Sequence, residues 1–464
     1  MMQVGWASVD ITPPRPVVLQ GQFYTRVSER VNDPLTATAL AIEGSADGEA
    51  TDQAVMVSCD RVNIPGFIQE RVREVAGRRL AGFDVGKLFL NATHTHTAPQ
   101  VSEGSYPPPG QGVMTATEYA DLLVERVADM VVQAWEGRRP GGVTWAFGQA
   151  VVGHNRRAVY FDGSAKMYGD TDDEQFDCIE GYEDHSLNVL FFWDEEQRLT
   201  GTVLNLACPS QVTENAYYVS ADFWHEVRTE VRRRHGDGLF ILPQCAPAGD
   251  QSPHFLIGKK EEAYMRERLA LTEREVIAQE IANAVDELLP SARDHMQTDP
   301  VVRHVVRTVA LPVRMVTDVE LAAAEEELER RGALEPESEK DASLNFVHMG
   351  RCRGVIERHG QQKSQPTYPL ELHVLRLGEV AIATNPFELF LDFGIRIKAR
   401  SKALQTFLVQ LVGDSRGYLP TAKAVAARSY GAEVASNHVG PEGGQVLVEA
   451  TVEEIARLWR TDSL

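Results

Sequence analysis

Gly86-Lys87-Leu88-Phe89-Leu90-Asn91-Ala92-Thr93-His94-Thr95-His96-Thr97-Ala98-Pro99 passes from an apolar run into a polar, histidine-bearing one. Residues 86–90 read as a short buried strand, and Pro99 with the Pro/Gly-rich stretch 101–113 then breaks regular structure. On an extended segment, side chains at i and i+2 share a face, so His94 and His96 are expected to point the same way. Histidine is the commonest metal ligand and a ready general acid or base. The segment therefore predicts a metal or proton-transfer centre at a strand end; the alternative is a polar strand end with surface histidines.

Four more segments repeat the pattern of an apolar strand running into reactive residues. They are 203–211 (followed by Ser220-Ala221-Asp222), 240–254, 382–388 and 412–421. Between them lie helical stretches at 64–79, 115–136, 223–234 and 261–289. Thr115 and Glu118 fit a capping box, and Gly137 offers a stop. Segments 301–313 and 370–383 alternate as half-exposed antiparallel strands do. Interleaved strands and helices predict an α/β fold, mixed β-sheets layered with flanking helices. With no Ser/Gly-rich linker, residues 1–464 read as a single catalytic domain. Residues 318–341 read as an acidic amphipathic helix dissolving into Pro336-Glu337-Ser338-Glu339-Lys340, so 315–345 is a helical insert, either a solvated surface helix or a lid.

A chain of 464 residues with 43% hydrophobic and 24% charged content is ordinary for a globular protein. A formal net charge of −21 argues against nucleic-acid binding, whose footprint is basic. No apolar run approaches the ~18 residues that span a bilayer. Five cysteines (Cys59, Cys178, Cys208, Cys245, Cys352), odd in number and irregularly spaced, argue for free thiols in a reducing compartment. The amino terminus has no basic region followed by an apolar core. The expectation is a cytoplasmic enzyme acting on a small molecule.

The chain resembles the neutral (non-lysosomal) ceramidases, zinc-dependent amidases, and their wider superfamily. The resemblance runs from Asp10-Ile11-Thr12-Pro13-Pro14 to Tyr430-Gly431. It is carried by Thr93-His94-Thr95-His96, Gly249-Asp250-Gln251-Ser252-Pro253, Phe387-Glu388 and Gly417-Tyr418-Leu419-Pro420-Thr421, specific together through their order. It implies a Zn2+ cofactor ligated by His94, Glu388 and Tyr418, with His96 facing the substrate and the Tyr418 hydroxyl also reaching the reacting carbonyl. Arg156, in His154-Asn155-Arg156-Arg157, matches a substrate-site arginine, and Ser252 the serine beside the scissile bond. Asp222 matches an aspartate read here as the cap of the helix that follows.

The family's second zinc-binding histidine falls on Cys208. A thiolate binds zinc well, so Cys208 is either a substituted ligand or an ordinary buried thiol at a site that has lost one. As a ligand it would add negative charge beside Glu388, make the metal a poorer Lewis acid and move the optimum to more alkaline pH. The expected activity is zinc-dependent hydrolysis of an amide C–N bond, with Ser252 as nucleophile or orienting group. The chain has no room for the β-sandwich domain that follows the ceramidase catalytic domain, so a water-soluble substrate is expected. Two other readings stand beside it: metal-free acid/base chemistry on a sugar-like compound (lyase, isomerase or glycosidase), and a non-catalytic ligand-binding relative.

Overall fold

Period-2 alternation along the strands sets the layering. In the strand Glu49–Cys59, Val55 and Val57 join one apolar cluster while Ala54 and Met56 join another. Leu88 and Leu90 face away from Phe89 in the strand Leu88–Ala92, and Val189 and Phe191 face away from Leu190 and Phe192 in Ser186–Asp194. Strands apolar on both faces need cover on both. The computed structural model, which describes residues 1–46 and 49–460, provides it in four layers: helices, a larger sheet, a smaller sheet, helices.

The larger sheet has eight strands in the order Phe240–Cys245, Leu199–Leu206, Ser186–Asp194, Arg139–Gln149, Gln3–Asp10, Thr36–Ala46, Glu49–Cys59, Leu88–Ala92. The smaller has four, in the order Val302–Pro312, Thr367–Leu377, Val380–Thr384, Gln405–Val409. Phe89, Phe192 and Leu242 of one sheet meet Leu375, Ile382, Phe407 and Val409 of the other. The helices Gly66–Gly77 and Ala116–Glu136 cover one half of the larger sheet's outer face, and Phe223–His235 with Glu273–Arg293 the other. Leu391–Arg400 and Pro441–Arg460 cover the smaller sheet.

Within these two sheets, neighbouring strands run antiparallel except for three pairs: Leu199–Leu206 with Phe240–Cys245, Glu49–Cys59 with Leu88–Ala92, and Val380–Thr384 with Gln405–Val409. Parallel neighbours leave a sheet at the same end, where open α/β sheets gather ligand-binding loops. Main-chain bonds lock these exits together: Gln410 N donates to Cys245 O, Ala246 N to Leu206 O, Gly413 N to Leu90 O and Asn385 N to Val409 O. All five loops singled out in the sequence thus emerge side by side.

The expected mixed α/β layering is present, and the Thr115–Glu118 capping box opens Ala116–Glu136. Three local readings need correction. The 261–289 helix is two, Lys259–Leu269 and Glu273–Arg293, because Ala270 takes a left-handed conformation (φ 52°) and Thr272 with Glu275 forms a fresh capping box. The acidic segment holds Asp318–Gly332, and a second helix, Glu339–Gln361, begins where structure was expected to fade. That second helix buries only Ser343 and Val355 along its length, so it writes no apolar stripe into the sequence. Lastly, His94 is not extended: the strand stops at Ala92 and His94 is left-handed, at φ 67°. Among the described residues no helix is long and apolar enough to cross a membrane.

Candidate functional site

Past Ala92 the chain is tied to the turn after its neighbouring strand, with Thr93 N donating to Cys59 O (3.0 Å) and Thr95 N to Arg61 O (3.1 Å). His94 Nδ1 lies 2.7 Å from Val62 O, so Nδ1 carries a proton and Nε2 is the ring atom turned into the site. That nitrogen faces Glu388 Oε2 at 3.3 Å and His96 Nε2 at 3.4 Å. The two imidazoles thus meet as expected, edge to face with centroids 4.9 Å apart, through the turn at His94 and not through strand alternation. Gln211 settles the state of His96. Arg156 Nη1 donates to Gln211 Oε1 (3.1 Å), so the Gln211 amide nitrogen donates to His96 Nε2 (2.8 Å). Burial, then His94, Arg26 and Arg156, push His96 well below the usual imidazole range and keep it neutral.

Glu388 and Tyr418 lie opposite one another in a two-residue parallel ladder, Glu388–Leu389 against Tyr418–Leu419. Burial works against charge on Glu388, but His94, a hydrogen bond from Tyr418 and nearby Arg156 outweigh it and keep the carboxylate ionised. Burial and the Glu388 charge push the Tyr418 phenol well above its ordinary value, so it stays protonated.

Of the adjacent arginines, Arg156 faces the site, while Arg157 pairs with Glu180 (2.7 Å). Arg156 Nη1 also donates to Tyr168 Oη (3.2 Å), and Nη2 to Gly249 O (3.0 Å) and Tyr418 Oη (3.3 Å). A short antiparallel ladder, Gln251 with Asn155 and Ser252 with His154, carries Arg156 beside the 249–252 loop. Ser252 is fully buried, and its Oγ accepts from Tyr168 Oη and from His254 N, both at 3.1 Å. Arg156, Tyr168 and Ser252 form one polar chain, and Arg156, Tyr418 and Glu388 another.

The structure brings together His94, His96, Arg156, Ser252, Glu388 and Tyr418, and turns the Cys208 thiol to main-chain carbonyls. The Cys208 thiol donates to Pro209 O (3.4 Å) and Val152 O (3.7 Å), packed in the apolar cluster with Leu206 and Phe223. Burial, Cys245 and Asp222 push it well above the usual thiol range, which disfavours a thiolate. Asp222 caps Phe223–His235 as anticipated, accepting from Phe223 N (2.8 Å).

Among the described residues no group of three or more His, Cys, Asp and Glu side chains could hold a metal ion. One pair of donors does stand at a ligand-like spacing. Two ligands of a tetrahedral zinc ion at about 2.0–2.1 Å stand roughly 3.3–3.4 Å apart, which is the His94 Nε2–Glu388 Oε2 spacing of 3.3 Å. Val62 O orients His94 as a second hydrogen-bonding partner orients metal-bound imidazoles.

Four residues escaped the sequence reading: Gln211, Glu214, Tyr168 and His254. Glu214 lies 3.6 Å from His96 Nδ1 and 3.9 Å from His254 Nε2, and burial raises its carboxyl above the usual range. His254 donates from Nε2 to Gln211 O (3.0 Å) and faces Glu273 through Nδ1 (3.4 Å); burial opposes its charge, but Glu273 and Glu214 raise it. Gln211 and His254 end segments already flagged as strand exits; Tyr168 follows no such signal.

No protein-family model and no curated protein sequence matches the chain. In three dimensions it is similar to the neutral ceramidase from Pseudomonas aeruginosa, with a TM-score of 0.70 at 17% identity over 98% of this chain and 75% of that one. A ceramidase complexed with C2 matches with a TM-score of 0.68 at 16% identity, over 99% of this chain and 75% of that one. Over nearly its whole described length, the chain has the neutral ceramidase fold.

Proposed function

We propose that the protein is a ceramidase-like hydrolase that cleaves the C–N bond of a small, polar amide, with zinc held by His94, Glu388 and Tyr418. The observation that supports it most directly is the facing pair His94 Nε2 and Glu388 Oε2, 3.3 Å apart with the His94 proton committed to Val62 O. A metal there would polarise the amide carbonyl and supply an activated water. Arg156 works as a positioning residue: four donor contacts hold the Tyr168 and Tyr418 hydroxyls, Gln211 and Gly249 in register. Ser252, buried beneath Tyr168, orients that hydroxyl and does not attack. His254, whose main-chain N binds Ser252 Oγ and whose imidazole is raised above its usual range by Glu273 and Glu214 against burial, is the proton donor for the leaving nitrogen. The polar groups Gln211, Glu214, Tyr168 and His254 favour a water-soluble substrate over ceramide.

His94→Ala should remove bound zinc, measured by elemental analysis, and lower turnover of N-acyl amides by at least about 10²-fold. Undiminished turnover by metal-free protein would end the zinc mechanism, and preferential hydrolysis of long-chain ceramide in detergent would overturn the polar-substrate reading. The Cys208 thiol, turned to the carbonyls of Val152 and Pro209, favours one rival, metal-free acid/base chemistry on a sugar-like compound. Less than one zinc per chain, with activity indifferent to chelators, would select it.

A further inference from the structure

A separate cavity of about 380 Å³ lies between the end of Glu339–Gln361 and the 414–416 loop. Three guanidiniums line it, Arg314, Arg358 and Arg416, against one carboxylate, Asp414. Arg416 Nε donates to Asp414 Oδ2 (2.7 Å), and Arg314 Nη2 to Glu320 Oε1 (3.1 Å) from outside the cavity. Arg358 has no ion pair among the described residues. Its guanidinium is held by main-chain carbonyls alone, Val434 O at 2.7 Å and Arg314 O at 3.3 Å. Such a cation is fixed in direction and meets no carboxylate directly, in a chain whose formal net charge is −21.

The field inside the cavity can be read from His438, which lines it beside Tyr368. Burial, Arg416 and Arg358 push that imidazole down to about 4, and Asp414 only partly offsets them. Half-buried positive charge facing a polar cavity is better compensated once an anion enters. Planar guanidiniums suit oxyanions with several equivalent oxygens.

We propose that this cavity is a binding site for a phosphate group, free or carried by a small organic molecule, with Arg358 as its principal ligand and Arg416 and Arg314 completing it. The volume exceeds that of inorganic phosphate and leaves room for an organic portion. The site is linked to the candidate active site through Asn437. Arg314 Nη1 donates to Asn437 Oδ1 (2.5 Å), and Asn437 Nδ2 donates to Tyr418 O (3.3 Å), so an occupant would touch the scaffold that holds Tyr418.

Calorimetric titration of the full chain with inorganic phosphate, glycerol phosphate and succinate tests this, with His438 followed by NMR. Phosphate or glycerol phosphate should bind with a Kd below roughly 1 mM, and Arg358→Gln should weaken it by about tenfold or more. Saturation should raise the His438 pKa by about one unit, because the anion cancels the field of the arginines. Tighter binding of glycerol phosphate identifies an organic phosphate, and equal binding free phosphate. Binding unaltered in Arg358→Gln, succinate binding as tightly as either phosphate, or no heat and no His438 shift up to about 20 mM ligand would each overturn the proposal. Should Arg358→Gln fail to fold, the wild-type titration and His438 shift decide alone.

Discussion

At His96 a missing side chain matters as much as those present. Gly21, at φ 112°, passes so close that a Cβ there would stand 2.5 Å from His96 Cγ. Gly21→Ala combines that overlap with a backbone conformation unfavourable to L-residues, and should cost about 1–3 kcal/mol in urea unfolding; unchanged stability would show that the loop and His96 can move apart. Asp250, in the same loop as Ser252, makes a different prediction. Burial pushes its carboxyl up to about 6 from 3.8, against hydrogen bonds such as that from Leu391 N (2.9 Å). Between those pH values the folded protein keeps a proton that the unfolded chain has released, so this group's contribution to stability is lost as pH rises through the window. Asp250→Asn should remove that loss, about 3 kcal/mol at most, seen as a flatter stability-against-pH curve from pH 4 to 6. A curve parallel to wild type would place the titration elsewhere.

Among the elements, the helices Asp318–Gly332 and Glu339–Gln361 take the place of the expected insert. The second packs against loops bordering the site. Ser343 Oγ accepts from Thr25 N (3.0 Å), His348 stacks on Phe23, and the Arg351 guanidinium lies 5.1 Å from the Phe23 ring centre and 5.5 Å from that of Tyr430. Tyr430 in turn packs edge-on against Tyr418. Arg351→Ala should therefore speed amide exchange in residues 21–26 and 430–436 by about five- to tenfold and leave the sheet strands unchanged. Equal protection in both proteins would reduce the helix to a bystander. Strand exits were legible because an apolar run ending in polar residues is a local signal. The helix Glu339–Gln361 was not, because contacts such as Phe23 with His348 join segments far apart in sequence.

On the scale of the molecule, the two sheets meet through one apolar seam in which Phe407 is fully buried between Leu242, Phe192 and Ile382. Phe407→Ala should cost about 3–5 kcal/mol in equilibrium unfolding, and a loss under 1 kcal/mol would mean that the seam can collapse around the gap. The seam holds the parallel exits of the smaller sheet against those of the larger, and so Glu388 and Tyr418 against His94. Read linearly, the chain already specifies its α/β layering, its strand exits and the residues Thr93-His94-Thr95-His96, Glu388 and Tyr418, because periodicity and short motifs are properties of neighbouring residues. Two outcomes depended on folding in three dimensions: the turn of the Cys208 thiol to the carbonyls of Val152 and Pro209, and the recruitment of Gln211, Glu214, Tyr168 and His254. Each is settled by which distant main-chain oxygen or side chain lies within hydrogen-bonding distance, and chain closure between strands far apart in sequence alone fixes that.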